Sequence, residues 1–97
     1  MPAYISLLNF TDQGIQKIKD TTRRARAFQA MARKGGVRVK EVYWTVGRYD
    51  VVVIAEAPND EAITRALLNL SSLGNVRTET LRAFSAKEMD RIIKGVR

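Results

Sequence analysis

Residues 37–57 read VRVKEVYWTVGRYDVVVIAEA, and two strands joined by a tight turn account for them. Val37–Val46 is rich in β-branched and aromatic side chains, which suit a pleated surface. Tyr49–Ala57 is richer still, too apolar to keep one face in water. Gly47-Arg48 between them leaves no room for a crossover, so the pair is an antiparallel hairpin. Pro58 has no N–H for a ladder and ends the second strand.

Upstream, Ala3–Phe10 (AYISLLNF) is a strand, and Thr11 is placed to cap a helix. Ile15, Ile18, Thr22, Ala25, Phe28 and Ala32 step by three and four, the spacing of one helical face. Lys17, Arg23, Arg24, Arg26 and Arg33 fall on the opposite face. Asp20-Thr21-Thr22 weakens the helix midway, so a break is expected there. Gly35-Gly36 stops it. Downstream, Asn59 or Asp60 caps a helix that buries Ile63, Ala66, Leu67 and Leu70, with Gly74 as its stop. Val76–Phe84 is a fourth strand. Ser85 and Glu88 form a capping box for a short amphipathic helix carrying Met89, Ile92, Ile93 and Val96.

The order is β-α-β-β-α-β with a terminal helix, one domain over residues 1–97. It predicts an α+β, ferredoxin-like fold, with two helices on one face of a four-stranded antiparallel sheet. Two helices cover only one face, yet the strands are apolar on both. Ile5 and Leu7 oppose Leu8 and Phe10. Val51, Val53 and Ala55 oppose Val52 and Ile54, and Val37, Val39 and Tyr43 oppose Val42, Trp44 and Val46. Leaving these in water costs roughly 1.5–3 kcal/mol for each large side chain. A second copy laying its sheet on this one relieves that cost, so a homodimer through sheet faces is expected, with higher assembly open.

The composition excludes whole classes of chemistry. The 97 residues include no Cys and no His, so disulfides, thiolate nucleophiles, imidazole bases and zinc or iron clusters built on them are absent. No apolar run approaches the ~20 residues of a membrane span. Met1–Phe10 lacks the basic region of a signal peptide, and a cytoplasmic location is the expectation. The net charge of +7 comes from one segment. Gly14–Lys40 holds nine basic residues against one acid, Asp20, while the remainder has eight basic and nine acidic. Such a segment attracts nucleic acid or an acidic partner, or is simply the wet side of a helix. With Phe28 as its only aromatic, it lacks the stacking groups of a nucleic-acid module, and nucleic acid is not expected as a partner.

Gly47-Arg48-Tyr49-Asp50 gives the chain a recognisable signature. It resembles the GYD family, small prokaryotic proteins of the dimeric α+β-barrel superfamily. The likeness runs from Tyr4–Thr11 and Gly14-Ile15 through Glu41–Asp50 and Glu56-Ala57-Pro58 to Gly74–Phe84. It implies a barrel-like dimer but no reaction. Wider relatives include monooxygenases, haem-handling enzymes, isomerases and the ligand domains of leucine-responsive regulators, and fold does not choose among them.

Polar residues able to face a cleft are Asn9, Tyr43, Thr45, Arg48, Tyr49, Asp50, Glu56, Arg77, Glu79 and Arg82, with Tyr4 and Trp44 as aromatic walls. The ligand-binding candidates are Tyr43, Trp44, Arg48, Tyr49 and Asp50. Asp50 starts a very apolar strand, so it is the candidate general base or ligand anchor. The alternative is a turn carboxylate that accepts backbone N–H groups or pairs with an arginine. Arg77 and Glu79 share a face that Arg82 does not. No metal-binding spacing and no cofactor motif is present; the glycine pairs are not followed by the helix a phosphate loop needs. Three functions are compatible with these residues. One is a homodimer binding a small molecule near Gly47–Asp50. Another is a cofactor-independent oxygenase or isomerase on an enolisable substrate, with Asp50, Glu56 or a tyrosine as base. The third is a basic-surface interaction module.

Overall fold

The computed structural model describes residues 1–97. Its elements are β1 (Ala3–Phe10), α1 (Asp12–Gln16), a 3₁₀ turn (Ile18–Asp20), α2 (Thr21–Lys34), β2 (Arg38–Trp44), β3 (Val51–Glu56), α3 (Asp60–Ser72), β4 (Val76–Ala83) and α4 (Ala86–Ile93). The sheet order is β2-β3-β1-β4, antiparallel throughout, which is the ferredoxin-like arrangement.

The strand period of two sorts the sheet into two faces. Tyr4, Ser6 and Leu8 of β1 and Val51, Val53 and Ala55 of β3 are buried in one core with Phe28 and Ala32 of α2 and Ile63, Ala66 and Leu67 of α3. Ser6 is the one buried polar residue, and its hydroxyl meets that of Thr80 at 2.9 Å, so nothing is left unpaired. The other face carries Ile5, Leu7, Val52 and Ile54, all half-buried, beside the exposed Tyr43 and Leu81. No residue of α4 is buried, so the terminal helix leaves this second face open.

The helix signals hold where their partners are local. Asn59 Oδ1 accepts from the Ala62 N–H at 2.9 Å, Ser85 and Glu88 form the capping box, and Gly74 takes φ +86 after α3. The Ser85 N–H holds the Glu88 carboxyl below its ordinary range. The expected break falls at the 3₁₀ turn, just before Thr21-Thr22.

Three expectations are corrected. Ile15 and Ile18 do not join the core; they stay 53% and 41% exposed, because the break rotates α1 and buries Gly14 instead. In β2 a register shift between Val39 and Glu41 inserts an extra residue, so Val39 and Val42 pack on the same core rather than on opposite faces. The hairpin connection is longer than Gly47-Arg48. Pairing ends at Trp44 and resumes at Val51, and Val46 is fully exposed rather than on a strand face. Gly47 at φ +133 turns the chain there, a conformation L side chains rarely adopt.

At the opposite end of β1, the buried Tyr4 donates its hydroxyl to Asp60 Oδ1 at 2.5 Å. That bond, with burial and the Asp60 charge, raises the Tyr4 pKa above its ordinary value of 10.0 despite Arg82 nearby. A raised pKa stabilises the fold below pH ~10, and the contribution is lost as pH climbs through the folded value. Tyr4→Phe should therefore cost about 1 kcal/mol at neutral pH. The gap between parent and variant should close above pH ~10, as read by urea melts over a pH series.

Candidate functional site

Between the sheet and α2 lies a cavity of about 350 Å³, within the size range of small-molecule sites. Its floor is Leu8 and Phe10 of β1, Val42 and Trp44 of β2, Val51 and Val53 of β3, and Val76 of β4. Ala25, Ala27, Phe28 and Met31 of α2 roof it, with Leu70 and Leu73 at the end of α3. Alanines at 25 and 27 leave space that larger side chains would fill. Trp44 Nε1 donates to Thr21 Oγ1 at 3.0 Å and ties the end of β2 to the start of α2 across this space.

The polar part of the lining comes from the broken helical segment and the turn before β4. It consists of Gln13, Lys17, Thr21, Arg24 and Asn75. Gln13 Nε2 donates to Asn75 Oδ1 at 2.9 Å and to the Leu73 carbonyl at 3.0 Å. The Arg24 guanidinium donates to the carbonyls of Lys17 at 2.7 Å and Gly14 at 3.2 Å, which are left over where α1 ends. No Asp, Glu or Tyr side chain lines the cavity.

The five sequence-predicted ligand residues do not converge. Trp44 lines the cavity. Tyr43 lies on the open sheet face, 52% exposed. Tyr49 reaches Glu79 of β4, its hydroxyl donating to Oε1 at 3.0 Å, and Arg48 stands over the Tyr49 ring at 5.7 Å. Asp50 closes the sheet. Its N–H donates to the Leu8 carbonyl at 2.9 Å, its carboxylate accepts from the Phe10 N–H at 2.9 Å, and its carbonyl accepts from the Thr45 N–H at 2.8 Å. It extends the β1–β3 ladder one step past Val51, the turn-carboxylate alternative. Glu56 faces Lys40 at 3.9 Å, a loose edge pair, and Arg82 stacks over Tyr4 at 5.6 Å and Phe84 at 4.4 Å. Arg77 and Glu79 do share a face, opposite that of Arg82.

Periodicity assigns Lys17 and Arg24 to the wet face, yet both line the cavity. The signal for them is a second stripe. Gln13, Lys17, Thr21, Arg24, Phe28 and Met31 step by four, four, three, four and three, grading from polar to apolar along one side. The other basic side chains of α2, Arg23, Arg26, Arg33 and Lys34, are exposed, and Arg23 is paired with Asp20 at 2.8 Å.

Comparison with known proteins agrees with this fold. A feast or famine regulatory protein of M. tuberculosis, solved with L-methionine, superposes with a TM-score of 0.67 at 15% identity over 89% of this chain. The chain spans about half of that regulator, 52% of its length. A Thermus thermophilus structure superposes with a TM-score of 0.58 at 27% identity, covering 89% of this chain and 96% of that one. In sequence, the chain is 37% identical over 90 residues to the glutamine synthetase and cystathionine beta-lyase binding protein of Thermus thermophilus, covering 92% of this chain and 95% of the relative. The GYD domain profile matches residues 4–93, from β1 through the last residue of α4. The chain therefore belongs to the GYD domain family.

Proposed function

We propose that this protein is a homodimeric binding protein that takes a small, mainly apolar molecule into the cavity between the sheet and α2. The cavity itself carries this reading: ligand-sized, apolar in its depth and polar on one side. It flanks the Thr45–Asp50 connection through Trp44 and Val51, but of the residues expected to line a cleft at that turn it takes in Trp44 alone. Dimerisation is supported by the open row of Ile5, Leu7, Val52 and Ile54, an apolar surface that the chain's own helices leave uncovered. The enzymatic alternative loses support, because a proton-abstracting base must reach the substrate and the lining offers no carboxylate or tyrosine.

Methyl-resolved NMR with indole as a neutral probe tests the binding reading. Saturable shifts are expected at Ala25, Met31, Val42 and Val53. Shifts confined to Ile5, Leu7, Val52 and Ile54, or none that saturate, would remove the cavity as a site.

A second reading, partner docking, is favoured by the relative named for binding two enzymes. The exposed Met89, Ile92 and Ile93 of α4 give such a partner an apolar row. Sedimentation velocity of the protein mixed with purified glutamine synthetase checks it, with co-sedimentation as the supporting result and independent boundaries as the contrary one.

A further inference from the structure

We propose that the cavity selects a small monocarboxylate with an aryl or branched apolar body, and that Lys17 and Arg24 hold its carboxylate. This rests on the cavity being a binding site and adds the chemistry it accepts.

The charge on the lining is one-sided. Lys17 and Arg24 are its only ionised groups, and neither has a carboxylate within ion-pair distance; the two ion pairs of the protein are Arg23–Asp20 and Lys40–Glu56. Two unpaired cations beside an apolar wall make a positive field that little protein charge offsets, and an apolar wall screens it less than water does.

The two cations are presented differently. Arg24 is half-buried, and its donations to the Lys17 and Gly14 carbonyls anchor the guanidinium. Those bonds use one N–H on each terminal nitrogen and leave three of its five donors for an anion. Lys17 is exposed, a mobile point charge on a flexible stem that can close over a bound anion. Thr21, whose hydroxyl oxygen accepts from Trp44, lies between them in the chain.

The depth of the cavity sets the rest of the ligand. Phe10, Phe28 and Trp44 supply aromatic side chains, and Met31 adapts to an irregular body. The lining has no acid to meet an ammonium group, so an α-amino acid would carry its positive charge into a site already positive. The cavity thereby prefers the carboxylate that lacks the amine.

Isothermal titration separates these terms with three matched probes: 3-phenylpropanoate, 3-phenylpropanol and phenylalanine. The acid should bind at least about tenfold more tightly than the alcohol, and its advantage should shrink with added salt. Phenylalanine should bind more weakly than the acid. Lys17→Gln, at an exposed position, should lose most of the acid's advantage over the alcohol, and Arg24→Gln should lose more of it. Equal binding of acid and alcohol, or an advantage untouched by both variants, overturns the carboxylate assignment while the cavity stands as a site. Saturable binding by none of the probes, with indole shifts also absent, overturns the binding reading and this inference together.

Discussion

Ile5→Glu is expected to convert the proposed dimer into a folded single chain. Sedimentation equilibrium at micromolar concentration should give the parent twice the 10.9 kDa of one chain and the variant 10.9 kDa. Ile5 sits on β1, one of the two inner strands, with Ile54 on one side and Leu81 on the other, in the open face. In an isolated chain a Glu there swings into water, at a cost within the ~1 kcal/mol range of strand preferences. In a symmetric pair the same substitution appears twice and faces apolar side chains. An unpaired buried charge costs about 3–5 kcal/mol. Even one such cost weakens pairing roughly a thousandfold. Far-ultraviolet circular dichroism should be unchanged, which separates loss of assembly from loss of fold. A parent that sediments as one chain at this concentration refutes the dimer.

Gly14→Ala should destabilise the fold strongly, since Gly14 is the glycine with the least room for a methyl. The new Cβ would lie 2.1 Å from the Asn75 carbonyl oxygen and 3.0 Å from its carbon, both backbone atoms. Asn75 cannot retreat freely. Its carbonyl accepts from the Thr11 N–H at 3.0 Å, the neighbouring Gly74 carbonyl accepts from the Thr11 hydroxyl at 2.6 Å, and Gln13 holds its side chain. Either α1 backs away from the β4 turn or these bonds stretch. Alanine would return up to ~1 kcal/mol in helix propensity. Overpacking against backbone outweighs it, for a net loss of about 2–3 kcal/mol. For a chain of this size that lowers Tm by roughly 10–20 °C. Differential scanning calorimetry reads it, and a Tm within about 2 °C of the parent would contradict the packing described. The displacement would also carry away Gln13 and Lys17, so binding of 3-phenylpropanoate should fall in the variant even below its Tm.

Asp50 illustrates how far residue type carries an argument about a site. A carboxylate beside an apolar strand can be read as a base or as a backbone acceptor. The choice depends on whether a free N–H stands opposite, and the Phe10 N–H does, forty residues away in the chain. Lys17 and Arg24 show the converse. Their spacing against the Ile15–Ala32 face puts their charge on the wet side, but their spacing to Phe28 brings them to the edge of the core. Val39 and Val42 differ by an odd number of positions, so alternation sends them apart. The extra residue at the bulge, set by pairing with β3, brings them back together.

Element types, their order and the surplus of apolar strand surface follow from the chain itself. Each rests on short-range rules: a period of two or near four, a cap three residues from its partner, a proline or glycine where a ladder or helix must stop. The buried side of α1, the bulge in β2, the length of the Thr45–Asp50 connection and the cavity itself follow only from tertiary structure. Each is settled by atoms that meet across separate strands and helices, such as Gly14 against Asn75 or Trp44 against Thr21. Local periodicity says which side chains avoid water. Steric fit between distant segments then sets which of them touch, and where space is left between them.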